Sequence, residues 1–270
     1  MPELPEVEVT KLKLTPYLLN KTIYKITCFN KNFRWPISDE IINLTPFKVL
    51  KLERKAKYII LYLDKGYIVI HLGMSGSISI NKDDTQRKSN EHIELFLDNH
   101  IVLRYHDPRR FGAWLFFKNL ADYKLFDKLG LEPLTNKFTP EYLFSITSRK
   151  SKAIKPLIME SSIVTGIGNI YASESLFKAK IHPASKACDI DYSKIETLVL
   201  EIKTILKDAI KQGGTSLKDF IQPNGDTGHF KQNLMVYGRG GKKCYICSSE
   251  IKQLTQYQRV SFYCSNCQKI

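Results

Sequence analysis

Residues 58–72 read YIILYLDKGYIVIHL, and the fold is decided by how this stretch is read. Two runs rich in Ile, Leu, Val and Tyr, 58–63 and 67–72, flank Asp64-Lys65-Gly66, so a β-hairpin is predicted. Working outward, residues 92–97 and 101–105 flank Asp98-Asn99-His100 and predict a second hairpin. Short alternating runs fill residues 22–117, a spacing that suits a sandwich or barrel. Between them, residues 81–90 are polar throughout and are expected to form a mobile surface loop. A helix is expected before the strands: Pro5 suits its first turn, and Glu6 and Glu8 suit its positive end.

Toward the C-terminus the period changes to helical after about residue 120. Ser193 with Glu196 reads as a capping box, after which Ile195, Leu198, Ile202, Ile205, Leu206 and Ala209 share one face. Gly213-Gly214 supplies a stop. Two earlier helices are predicted at 153–160 and 170–179, joined by Gly166-Ile167-Gly168-Asn169. A short strand is predicted at 234–237. The fold class is therefore α+β.

The 270 residues carry a formal net charge of +14, which points to a polyanionic partner, nucleic acid ahead of an acidic membrane surface. No run approaches the ~20 apolar residues of a membrane span, and the start does not read as a signal peptide, so a cytoplasmic protein is expected. Four of the six cysteines lie in two pairs, Cys244-x-x-Cys247 and Cys264-x-x-Cys267, sixteen residues apart. In a cytoplasmic chain that spacing predicts one four-thiolate zinc ion, structural because no coordination position is left open. Cys28 and Cys188 read as buried or half-buried thiols.

These blocks, taken with Met1-Pro2-Glu3-Leu4-Pro5-Glu6-Val7-Glu8, Arg54-Lys55-Ala56-Lys57-Tyr58, His71-Leu72-Gly73-Met74-Ser75-Gly76, Asp107-Pro108-Arg109-Arg110-Phe111-Gly112 and Gln212-Gly213-Gly214-Thr215, resemble formamidopyrimidine-DNA glycosylase. The resemblance covers essentially the whole chain, with the blocks in order. It implies a catalytic β-sandwich over 1–133, a helix-two-turn-helix domain with a lesion loop over 134–235, and a zinc-finger hairpin over 236–270. Double-stranded DNA containing oxidised bases would be held in the cleft between domains by a monomer associated with the nucleoid. Oxidised purines, 8-oxoguanine and formamidopyrimidines, are favoured over the oxidised pyrimidines of the sister group. A zinc protein that binds damaged DNA without catalysis is the third reading.

The resemblance also implies roles. Pro2, once Met1 is removed, would supply the nucleophile. An α-amine with a pKa of ~8 keeps a neutral fraction near pH 7 where lysine does not, and its secondary amine gives a cationic iminium that promotes elimination. Glu3 would serve as acid and base, Lys57 would touch the phosphate beside the lesion, and Arg259 would grip flanking phosphates and assist δ-elimination. Met74, Arg109 and Phe111 would fill the gap left by the everted base, although local sequence alone places Met74 and Phe111 in a core. Lys150, Asn169 and Asn90 would be DNA contacts. Asn169 would also cap its helix. Where the family often has Lys-His-Asp-His, this chain has Lys88-Ser89-Asn90-Glu91-His92, so Asn90 stands in place of the first histidine.

Overall fold

The computed structural model describes residues 1–98, 100–216 and 221–270. Residue 99 of the second hairpin and residues 217–220 of the expected lesion loop lie outside the described residues. The chain divides into two compact units, Met1–Asp127 with Ile210–Lys231, and Lys128–Ala209 with Gln232–Ile270.

In the first unit α1 (Leu4–Leu18) precedes β1 (Thr22–Ile23), β2 (Lys25–Cys28) and the one-turn α2 (Glu40–Asn43). There follow β3 (Phe47–Lys55), β4 (Tyr58–Leu63), β5 (Gly66–His71), β6 (Ser77–Lys82), β7 (Glu91–Phe96), β8 (Ile101–His106) and β9 (Ala113–Phe117). They form two antiparallel sheets, ordered β1-β3-β4-β5-β9 and β2-β7-β8-β6. Both expected hairpins are present, as β4–β5 and β7–β8. Ile59, Leu61, Ile68 and Ile70 from one sheet share a core with Ile26, Ile93, Leu95 and Leu103 from the other, which makes a sandwich. Val7, Leu14 and Leu18 join the same core from α1.

The second unit holds α3 (Pro140–Thr147), α4 (Ile154–Ile158), α5 (Asn169–Lys178), most of α6 (Tyr192–Lys211), and the hairpin β10 (Ile251–Gln256) and β11 (Arg259–Cys264). All six α6 residues assigned to one face are buried. The capping box is not formed: Lys194 and Ile195 both donate to the Asp191 carbonyl at 3.1 Å, so the helix starts earlier and Ser193 sits inside its first turn. The predicted strand at 234–237 is also absent. The N–H groups of Met235, Val236 and Tyr237 donate instead to the buried Glu174 carboxylate at 2.8, 3.0 and 2.7 Å, leaving no ladder to form. Cys188, expected buried or half-buried, is exposed. No helix among the described residues is long and apolar enough to cross a membrane.

Candidate active site

Pro2 and Glu3 are buried at the start of α1, with Glu3 in the N-cap position and Pro5 in the first turn. The Glu6 carboxylate organises this corner. One oxygen accepts from the Glu3 N–H at 2.8 Å and the other from the Thr215 N–H at 2.8 Å. Thr215 is delivered by the stop after α6, where Gly213 (φ +77°) and Gly214 (φ +82°) reverse the chain in a conformation that suits glycine. The base of the following loop is closed by His229 N–H to Gln212 O (3.0 Å), Phe230 N–H to Gly214 O (3.2 Å) and Gly228 N–H to Ser216 Oγ (2.8 Å). A helix N-terminus facing two carboxylates is electrostatically consistent, since its free N–H groups favour negative charge.

Lys57 is half-buried in the turn between β3 and β4. Arg54 fixes that turn from two sides, donating to Glu8 of α1 at 2.8 Å and to the Ala56 carbonyl at 2.9 Å. Burial, then the positive charges of Lys57 and Arg34, push His71 down to about 4. It is therefore neutral at physiological pH, and its Nδ1 accepts from the Gly73 N–H at 3.0 Å.

The loop at 73–76 meets the loop at 107–112 around Asp107, which is fully buried. Its carboxylate accepts from Ser75 Oγ at 2.7 Å, Tyr105 OH at 3.1 Å and the Gly112 N–H at 2.9 Å. A Cβ on Gly73 (φ +70°) would lie 2.6 Å from the backbone of Phe111 and Gly112, so only glycine permits this approach. The loop that carries Met74 is thereby brought against the loop that carries Arg109 and Phe111. Phe111 is 41% exposed, unlike a core residue, and the Arg109 guanidinium lies over its ring at 4.9 Å. Asn90 is exposed at φ +63°, a left-handed conformation that asparagine tolerates, and its carbonyl accepts from the Asp107 N–H at 3.0 Å.

In the second unit Arg259 is exposed directly after Tyr257 and Gln258, both at positive φ, as a two-residue hairpin turn requires. Asn169 does not cap α5 with its side chain, a correction to the sequence reading: Gly168 holds the cap position, and Asn169 donates to the Val260 carbonyl at 2.9 Å. Between them lies Lys155, 1% exposed, whose ammonium donates to Asn169 Oδ1 (2.6 Å), Ser261 Oγ (2.7 Å) and Val260 O (3.3 Å). Three acceptors match its three donors. Lys150 is exposed after α3; two residues on, Lys152 stands 4.9 Å from the ring of Tyr257 at the hairpin tip.

At the other end of the hairpin the four cysteine sulfurs all lie within 4.8 Å of one another, with Cys244–Cys267 at 4.0 Å and Cys247–Cys264 at 3.4 Å. A tetrahedral ion with bonds of ~2.3 Å needs sulfurs ~3.8 Å apart, so the set can hold one metal ion. Hydrogen bonds from Ser249 and Asn266 draw Cys247 down to about 5, whereas burial pushes Cys264 up. The apolar core here is small: Phe177, Val236 and Ile251 beside the cysteines.

Sequence reasoning gave Asp107, Lys155 and Glu174 no role. Asp107 lies in a quoted block, but nothing local marks Lys155 or Glu174 as buried.

Two family profiles match the chain: the formamidopyrimidine-DNA glycosylase N-terminal domain over residues 1–114 and the formamidopyrimidine-DNA glycosylase H2TH domain over residues 129–221. A formamidopyrimidine-DNA glycosylase from Haemophilus influenzae is 48% identical over 269 residues, covering 100% of this chain and 99% of the relative. A Lactococcus lactis mutant enzyme solved with DNA containing Fapy-dG superposes with a TM-score of 0.91 at 31% identity, covering 100% of both chains. Lactococcus lactis Fpg solved with DNA containing an abasic site gives 0.91 at 31%, covering 99% of this chain and 100% of that one.

Proposed function

The chain belongs to the formamidopyrimidine-DNA glycosylase family, and from that premise we propose that it excises oxidised purines from double-stranded DNA and then nicks the abasic strand. The observation that carries the reading is the buried Pro2-Glu3 corner, with the Glu3 backbone tied by Glu6 to Thr215. Removal of Met1 converts the Pro2 nitrogen from an amide into a secondary amine. That nitrogen forms a bond to C1′ of the everted nucleotide as the bond to the damaged base breaks, and the proton the amine sheds leaves on the departing base. Glu3 protonates the sugar ring oxygen, the ring opens, and the product is a cationic iminium. Loss of a C2′ proton to a base then expels the 3′ phosphate, and a second elimination expels the 5′ phosphate. Lys57 and Arg259 hold the phosphates on either side, which lowers the charge that accumulates on each leaving group.

Met74, Arg109 and Phe111 occupy the space the base vacates, and Asn90, Lys150 and Asn169 meet the backbone. The metal is zinc, one ion held by Cys244, Cys247, Cys264 and Cys267, and it supplies folding energy to the hairpin rather than chemistry. In this reading residues 1–133, 134–235 and 236–270 serve as catalytic, DNA-binding and zinc modules of a cytoplasmic monomer.

Borohydride trapping on an 8-oxoguanine duplex tests the proposal. A covalent adduct mapping to a peptide that begins at Pro2 is expected. An adduct on a lysine, or none from protein lacking Met1, overturns it. Faster nicking of a thymine-glycol duplex would move the substrate to oxidised pyrimidines.

A further inference from the structure

The two ends of α5 face different chemistry. Its first residue, Asn169, is bonded to Val260 beside Arg259 at the hairpin tip. Its last turn, about 14 Å away at 1.5 Å per residue, opens on a groove of about 540 Å³ in the same unit. The hairpin repeats this polarity. Gln256 pairs with Arg259 at the tip, while Ile251 pairs with Cys264 at the base, ~17 Å away, and the groove lies at the base beside Cys267. Charges at the groove are thus more than a Debye length of ~8–10 Å from the tip.

The groove has an apolar floor of Phe177, Met235 and Ile246. Ile246 is 64% exposed, within the first Cys-x-x-Cys turn, where a polar residue would serve the turn equally well. Met235 gives the floor an adaptable surface. Around the rim stand Lys178, Lys180, Lys194 and Lys269. Among the described residues only Lys178 has a carboxylate partner, Glu201 at 4.0 Å, so the rim keeps a net positive charge. A simple anion has no use for the floor, and a nucleic-acid backbone would leave Met235 and Ile246 in water. An uncharged apolar ligand has no use for the lysines.

We propose that this groove docks a flexible acidic peptide carrying a large apolar side chain, a protein partner engaged on the side of the zinc module away from the hairpin tip. The apolar side chain fills the floor and flanking carboxylates meet the lysine rim, an arrangement that gives fast, salt-sensitive and modest binding. The proposal does not depend on which lesion is excised.

The test uses the full-length zinc-loaded protein and a fluorescein-labelled decapeptide of Asp and Glu around a central Phe-Leu pair, followed by anisotropy. Saturable binding is expected. It should weaken about tenfold or more with Lys180→Glu plus Lys194→Glu, and about fivefold with Ile246→Ser or with Ala in place of the peptide's Phe. Affinity for an abasic-site duplex should stay within about twofold in each variant. No binding by the wild-type protein, or binding indifferent to the substitutions, overturns the proposal. Parallel loss of duplex affinity also overturns it, by making the groove a nucleic-acid surface.

Discussion

In the first unit, Glu6 gathers two backbone N–H donors and Asp107 two hydroxyls and a backbone N–H, while the unit rests on a core shared by two sheets and α1. In the second, the hairpin that carries Arg259 has, among the described residues, a small core around it: Phe177, Val236 and Ile251 beside the cysteines, with Met235 and Phe262 packed against them. Its polar order comes from Glu174, Lys155 and the thiolate cluster. The difference teaches where each region's rigidity resides. The N-terminal corner inherits it from a sandwich that folds by apolar burial, whereas the hairpin draws it from charge and from a cysteine set able to hold a metal ion.

The largest expected effect isolates the corner's chemistry from its stability. Pro2→Gly should slow single-turnover nicking of an 8-oxoguanine duplex by on the order of 10³-fold with an unchanged melting temperature. Equal rates would strip the corner of its assigned role. Next comes the hairpin. Chelation, or Cys247→Ser, should release the metal and weaken abasic-duplex binding by on the order of 10²-fold, the value of one or two charge-assisted phosphate contacts. Hydrogen exchange in β4 and β5 should not change, and loss of protection there would erase the contrast between the regions.

Two smaller effects sharpen the comparison within the first unit. Glu6→Gln keeps one acceptor oxygen where two N–H donors need one each, so urea unfolding should show a loss of about 2–3 kcal/mol. His71 gives the unit a pH dependence. The unfolded chain binds this proton at about 6.5 and the folded chain only at about 4, so protons favour unfolding below neutrality. Stability is complete above about 6.5 and should fall by about 1–2 kcal/mol at pH 5. In His71→Asn, whose Oδ1 can still accept from Gly73, that part of the slope should vanish; an unchanged slope would assign it to other groups.

What could be read in the sequence was whatever repeats over a short range. The hairpin β4–β5, the buried face of α6 and the two Cys-x-x-Cys pairs each carry their signal within one element or one spacing. Two of the misreadings fall where a distant charge intervenes. Residues 234–237 have strand composition, but Glu174, some sixty positions earlier, takes their N–H groups. Asn169 sits where a cap is expected, yet Lys155 and Val260 claim its side chain. The grouping of Met74 with Arg109 and Phe111 was accessible only through family resemblance, because the bond from Ser75 to Asp107 that joins their two loops spans more than thirty positions.

The bond from Thr215 to Glu6 joins positions 209 residues apart. A ribosome adding ~5–20 residues per second delivers the second partner roughly 10–40 seconds after the first. The Pro2-Glu3 corner is thus among the earliest parts of the polypeptide to be synthesised and among the last to be finished. A nascent chain halted before Thr215 is made carries Pro2 and Glu3 without the Thr215 bond to Glu6 that braces the helix start beside them.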